Sequence, residues 1–267
     1  MPRIKAPQRL GRRRVLLCAT ALGGMRLAWV GGAWALEQPV QLYAAMTVRP
    51  ALDAVLAAYR AAGGSVTAVY APTPVLVRQL AGGAPADILL TADADWMNRA
   101  VDQGLIDRAS RVDLLTTDLV LAAERGVAPS GTLTPAYDLG ELLGGGRIAM
   151  CDPDQHPAGR VGKEALQSLG LWAEAAPYLA IAESAPGAVT LIDRGEAKAA
   201  VVFRSDLHGD DKSVIVGMFP AASHAPIVYP VALTRTHSAH AAKALAFLKS
   251  PRAMGIFATF GYRAIAG

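Results

Sequence analysis

Two cysteines in 267 residues are too few for a disulfide scaffold. Charged residues make up only 18% of the chain against 52% hydrophobic, which excludes a disordered polymer. The 26 glycines follow no three-residue period, so a collagen-like helix is excluded as well. The common enzyme signatures are missing: there is no G-x-S-x-G elbow, H-E-x-x-H, G-x-x-x-x-G-K-[ST], C-x-x-C or G-x-G-x-x-G. Residues 36–267 hold no charge block, no low-complexity stretch and no internal repeat.

What is abundant at one end is basic charge. Residues 1–35 hold Arg3, Lys5, Arg9, Arg12, Arg13, Arg14 and Arg26, and no Asp or Glu. A basic start, an apolar stretch from Val15 and the close at Ala33-Trp34-Ala35 have the layout of a secretory signal peptide. Gly11-Arg12-Arg13-Arg14-Val15-Leu16-Leu17 is also similar to a twin-arginine signal, so both export routes stay open. Arg26 and the glycines interrupt the apolar run, which argues against a permanent membrane span. Leu17 is too bulky before Cys18 for a lipoprotein site. The formal charge of the whole chain is +4, but removing seven basic residues leaves 19 against 22 acidic ones. A mature chain of net charge −3 without a Lys/Arg cluster lacks the footprint of a nucleic-acid binder. Cys151 would be its only cysteine and reads as a small buried residue.

In residues 36–267, short β-like runs alternate with helical patterns. Strands are expected at Pro39–Ala44, Ser65–Ala71, Asp87–Thr91, Leu119–Ala123, Arg147–Cys151, Leu179–Glu183, Ala199–Phe203 and Tyr229–Thr234. Leu52, Val55, Leu56 and Tyr59 fall on one helical face, as do Val161, Ala165, Leu166 and Leu169, with Gly170 as a stop. Further helices are expected at Val75–Leu80 and Asp93–Gln103. Two helices close the chain, the last starting at Ser250-Pro251 as cap and first residue. This alternation predicts an α/β fold of parallel sheets covered on both faces, in two lobes.

A small or hydroxyl residue recurs where a strand turns into a helix. Thr47 stands in Ala44-Ala45-Met46-Thr47-Val48-Arg49-Pro50 and Thr73 in Tyr70-Ala71-Pro72-Thr73-Pro74; each is expected to cap its helix. Pro157-Ala158-Gly159 and Ala185-Pro186-Gly187 are two more such turns. Helix N-termini carry unpaired N–H groups and a positive dipole end. Several converging on one cleft would hold a small anion without formal charge, whereas each alone is an ordinary cap. Asp152-Pro153-Asp154-Gln155-His156 has metal-ligand residue types but reads as a turn. Arg160 reads as solvent-facing, Trp96 and Trp172 as packing residues, and Glu183, Asp193, Arg194 and Glu196 as helix-end and loop charges.

The run Gly82-Gly83-Ala84-Pro85-Ala86-Asp87-Ile88-Leu89-Leu90-Thr91-Ala92-Asp93, with Trp96-Met97 after it, resembles the molybdate-binding periplasmic proteins of ABC importers. Asp152-Pro153, Pro157-Ala158-Gly159, Lys163-Glu164-Ala165-Leu166 and Tyr229-Pro230-Val231 match that family in the same order. The resemblance implies a two-lobed periplasmic-binding-protein fold of type II, a Venus flytrap closing on molybdate or tungstate. It has no catalytic residues, no cofactor and no cationic metal. The chain would cross between lobes near Thr117 and Val228, giving lobe I from 36–117 plus 229–267 and lobe II from 118–228.

The resemblance further implies hydroxyl donors at Thr47 and Thr73, where serine is usual, and backbone N–H donors at Ala158 and Ala185. It places at Phe203 a position that is usually a tyrosine, so the hydroxyl there is lost. Met46, Arg49 and Arg204 adjoin these positions as further cleft contacts. The implied partners are the permease and ATPase of an inner-membrane ABC transporter, with the binding protein itself a periplasmic monomer and no nucleic acid involved. Three alternatives stay open: the same fold binding another anion (an organic carboxylate, chromate or sulfate), an exported hydrolase acting on an anionic substrate, and the sensor domain of a regulator. An organic carboxylate would pair with an Arg fork from Arg49 or Arg204. A hydrolase needs a nucleophile–base pair, yet none of the five histidines lies in a recognised catalytic context.

Overall fold

Eleven strands and nine α-helices are assigned in the computed structural model, which describes residues 38–265. The expected export segment, residues 1–35, lies outside the described residues. The first sheet contains β1 (Val40–Ala45), β2 (Val66–Ala71), β3 (Ile88–Leu90), β4 (Val112–Thr117), β10 (Val228–Leu233) and β11 (Tyr262–Ala264). Their spatial order is β11-β4-β10-β3-β1-β2. The second has the order β7-β6-β8-β5-β9, from β5 (Leu119–Glu124), β6 (Ile148–Cys151), β7 (Leu179–Ala182), β8 (Ala199–Phe203) and β9 (Ser213–Met218).

The helices are α1 (Arg49–Ala61), α2 (Thr73–Ala81), α3 (Ala94–Asp102), α4 (Leu139–Leu143), α5 (Pro157–Ser168), α6 (Trp172–Ala175), α7 (Ala185–Asp193), α8 (Ala241–Leu248) and α9 (Pro251–Thr259). The apolar spacing read along α1 is its buried face: Leu52, Val55, Leu56 and Tyr59 are all at or below 5% exposure. Ser250 caps α9 by accepting the Ala253 N–H at 3.2 Å, with Pro251 at the first helical position. Gly170, past the end of α5, has φ of 75° and ends it as expected.

The sheets are covered on both faces but are not purely parallel. β1 runs parallel to β2 and β3, and β6 parallel to β7 and β8. β10 inserts antiparallel between β3 and β4, and β5 lies antiparallel to both β8 and β9. The expectation of parallel sheets fails because β10 and β5 reach their neighbours from the opposite end, as the chain passes between sheets. β4, β9 and β11 are additional strands, and β11 rather than a helix closes the described chain.

Alternation along the strands gives each face its own core. On the first sheet Leu42 and Leu90 pack with α1, α8 and α9, while Tyr43 and Leu89 pack with Leu76, Val77 and Met97 of α2 and α3. On the second, Met150 and Val201 meet Leu166 of α5, while Ala149 and Val202 meet Val189 and Ile192 of α7. Full burial of side chains of this size contributes about 1.5–3 kcal/mol each.

The chain passes from the first sheet to the second between Thr117 and Leu119, and returns between Met218 and Val228. At the first passage Asp118 is held from both sides. Arg204, just after β8, meets it at 3.1 Å, and Arg263 of β11 meets its other carboxylate oxygen. The Thr117 hydroxyl donates to the Gly261 carbonyl at 3.0 Å. Gly261 has φ of 83°, and a Cβ there would lie 3.0 Å from the Ser205 nitrogen, so the close approach requires glycine.

Candidate functional site

Parallel strands end on the same edge of a sheet, so the turns that follow them converge there. β1 and β2 therefore bring Thr47 and Thr73 to one edge of the first sheet. β6, β7 and β8 bring Ala158, Ala185 and Phe203 to one edge of the second.

Neither threonine caps a helix as expected. Thr47 lies exposed in a 3-10 turn, Met46–Val48, and Val48 occupies the cap position of α1 without a side-chain bond. Thr73 is the first residue of α2, preceded at the cap position by Pro72. It is 5% exposed, and its Oγ1 accepts the Ala92 N–H at 3.2 Å, which orients the hydroxyl and leaves its proton to donate elsewhere. The cap positions went to Pro72 and Val48 because each threonine sits one residue away from the register that capping needs.

At the second edge, α5 begins at Pro157 and α7 at Ala185. The Ala158 N–H donates to His156 Nδ1 at 3.1 Å. Ser184 caps α7 by accepting the Gly187 N–H at 3.2 Å, and Ala185 is buried. Gly159 is buried where α5 rests on the end of β6; a Cβ there would fall 2.0 Å from the Asp152 carbonyl oxygen.

Phe203 ends β8 half-buried, and its N–H donates to Asp206 Oδ2 at 2.9 Å. Burial pushes the Asp206 carboxyl up to about 7, partly offset by that N–H. The same carboxyl acts on Cys151 at the end of β6 and on Tyr229 and Tyr262. The two tyrosine rings meet edge to face, 5.4 Å apart. The Tyr262 hydroxyl donates to the Thr47 carbonyl at 3.1 Å, and the Thr47 side chain interacts with the Tyr229 hydroxyl. Through these contacts Thr47, on the first sheet, and Phe203, on the second, join one cluster.

That cluster is largely uncharged. Burial raises Cys151 to about 12 and Tyr262 to about 12, and Tyr229 well above the ordinary phenol value. Asp206 and Tyr262 carry no sequence motif that marks them, whereas Tyr229 stood within a recognised run. The proximity of the three arises from tertiary contacts across the chain.

The two arginines beside the site are engaged elsewhere. Arg49 pairs with Asp53 at 3.5 Å and lies 5.4 Å from the Tyr70 ring centroid. Arg204 bonds Asp118 and reaches the Met218 sulfur at 3.4 Å. Met46 is 51% exposed. The Asp152–His156 run is a turn: Asp152 Oδ1 accepts the Asp154 and Gln155 N–H groups at 2.8 and 2.9 Å, which hold its carboxyl below the usual range. Among the described residues no group of three His, Cys, Asp or Glu is placed to hold a metal ion. Arg160 is exposed, Trp172 packs against the core, and Cys151 is buried, as expected.

The Asp87 of the recognised Gly-Ala-Pro-Ala-Asp run is structural. Its Oδ2 accepts the Gln41 N–H at 2.7 Å and its Oδ1 the Ser238 N–H at 2.5 Å, tying β1 to the segment before α8.

Two mixed sheets, helix starts gathered at their strand ends and two chain passages between them define an α/β solute-binding protein of the type II periplasmic fold. The model of the bacterial extracellular solute-binding protein family matches residues 40–263, and the chain belongs to that family. The chain is 37% identical over 241 residues to the molybdate-binding protein ModA of Escherichia coli K12, across 89% of this chain and 94% of that protein. It is 30% identical to ModA of Haemophilus influenzae, across 89% and 95%. A solved substrate-binding domain of a candidate molybdenum ABC transporter from Clostridium difficile superimposes with a TM-score of 0.76 at 24% identity, covering 85% of this chain and 99% of that one.

Proposed function

We propose that the protein is an extracytoplasmic solute-binding protein that captures molybdate, or tungstate, and delivers it to an ABC importer. The observation that carries this reading is the 37% identity to a molybdate-binding protein along nearly the full length of both chains. The protein captures and releases rather than catalyses. In this reading residues 36–117 plus 229–267 form one lobe and residues 118–228 the other, with the anion between them. Thr47 and Thr73 donate through hydroxyls, Ala158 and Ala185 through backbone N–H groups, and Phe203 lines the site. A fully ionised tetrahedral dianion accepts from every one of these neutral donors. Residues 1–35 direct export to the periplasm by the Sec or twin-arginine route. The mature protein acts as a monomer on the transporter's permease and ATPase.

An organic carboxylate would draw on an arginine fork, and the pairing of Arg49 with Asp53 and of Arg204 with Asp118 works against that alternative. The test is calorimetric titration of the mature chain with molybdate, tungstate, sulfate, chromate and phosphate. Molybdate and tungstate should bind well ahead of sulfate, and molybdate at 100 times Kd should stabilise the fold by about 2.7 kcal/mol. No heat and no thermal shift with molybdate or tungstate would refute the reading.

A second expectation concerns the hydroxyl lost at Phe203. In Phe203→Tyr the new phenol should donate to the anion. One hydrogen bond to a charged group contributes roughly 1.5–3 kcal/mol, so molybdate Kd should fall about ten- to a hundredfold. Unchanged affinity in the same titration would place the ring para position outside the site.

A further inference from the structure

The Ala158 N–H is already spoken for in this structure, and its partner titrates. His156 precedes α5 and accepts that N–H on Nδ1 at 3.1 Å. An accepting Nδ1 is unprotonated, so the ring is in its neutral form with the proton on Nε2. The ring is half-buried at an open pocket of about 330 Å³ shared with Asp152, Gln155, Ile181, Ala182 and Glu183, which leaves it room to swing.

Resting on the anion-binding function proposed above, we propose that His156 is a proton-dependent gate on the Ala158 amide. The neutral ring occupies the amide, and uptake of a proton at Nδ1 frees it for the anion. On binding, the amide hydrogen bond to Nδ1 breaks and one to an anion oxygen forms. The proton comes from solvent and adds to Nδ1, so the ring faces the dianion as a donor carrying positive charge.

The surroundings keep the gate closed in the absence of ligand. Burial, and then Arg160 on α5, hold the imidazole below its ordinary value, against the pull of Asp152. Glu183, at the end of β7, is the remaining charged group of the pocket. An incoming dianion opposes the burial and Arg160 effects and raises the ring's proton affinity. Affinity must then rise as pH falls toward the histidine range, because binding and protonation favour each other.

The experiment is calorimetric titration of molybdate into the mature protein and into His156→Asn between about pH 6 and pH 8, where the ligand remains a dianion. Two buffers of different ionisation enthalpy report the protons taken up. The wild type should bind several-fold more tightly at the lower pH, with net proton uptake and an NMR-detected rise in the His156 pKa on binding. In His156→Asn the side-chain oxygen caps the amide without titrating, so the variant should lose most of the wild-type slope and keep only the share due to Asp206. A wild type that binds molybdate with pH-independent affinity overturns the gate and leaves the function standing. So does a His156→Asn variant that retains the full slope, which would assign the proton to Asp206. Absence of molybdate binding at every pH removes the function and the gate together.

Discussion

Gly159→Ala is expected to lower the melting temperature by about 10 °C and to remove measurable molybdate binding. The added Cβ would stand 2.0 Å from the Asp152 carbonyl oxygen and 2.5 Å from that of Cys151. Both are backbone atoms at the end of β6, so no side-chain rotation relieves the overlap; either α5 or the strand end must move. Overpacking of this kind costs about 3 kcal/mol or more, and each kcal/mol is worth roughly 2–4 °C in a chain of this size. Ala158 is the neighbouring residue, so its N–H moves with the helix start. Gly162→Ala, one turn on, is the control. Its Cβ would meet Met150 Cε at 2.9 Å and Val201 Cγ1 at 3.0 Å, the first of them the far end of a flexible, buried side chain. That variant should lose only about 1 kcal/mol and keep its affinity. Thermal melts with calorimetry check both, and a Gly159→Ala melt matching that of Gly162→Ala would disprove the argument.

Asp206→Asn should be more stable than the wild type above pH 7, and the advantage should shrink in mild acid. An acid whose pKa is raised on folding holds its proton more tightly when folded. Wild-type stability attributable to Asp206 is therefore present below the unfolded value of 3.8 and is lost as pH rises to about 7. At about 1.4 kcal/mol per pH unit the upper limit of that loss is about 4 kcal/mol. Asparagine keeps an oxygen to accept the Phe203 N–H and never ionises. Urea unfolding of both proteins at pH 5 and pH 8 gives the comparison, and the difference between them cancels other titrating groups, including His156. Equal pH slopes for the two proteins would show that Asp206 ionises normally in the fold.

The elements visible in the sequence are those whose signals are local. The α1 stripe of Leu52, Val55, Leu56 and Tyr59, and the Ser250-Pro251 start of α9, need no information from elsewhere in the chain. β11 is three residues with one buried side chain, Tyr262, so it carries no periodicity and exists only because β4 pairs with it. The direction of β10 and β5 is likewise a property of their neighbours. The four turns of the candidate site were legible because each is a strand-to-helix junction within a few residues. The Tyr262 contact with Thr47 spans 215 positions, and the Arg204 contact with Asp118 spans 86. Such contacts have no sequence signature, which is why the two arginines were expected as cleft contacts rather than as partners of Asp53 and Asp118, and why Tyr262 went unnoticed.

The placement of β10 in the middle of the first sheet governs the order in which the protein can assemble. A chain threaded amino end first presents β1, β2, β3 and β4 long before residues 228–233 arrive. Until then β3 and β4 lack the strand that joins them, and their facing edges offer unpaired backbone. The second sheet is continuous in residues 119–218 and needs nothing from downstream for its pairings. It can close while the first still waits for its keystone, a long-range pairing that is slow to form. The part of the molecule begun first is thus completed last. A nascent chain cut short before Val228 carries one finished sheet and one that cannot close.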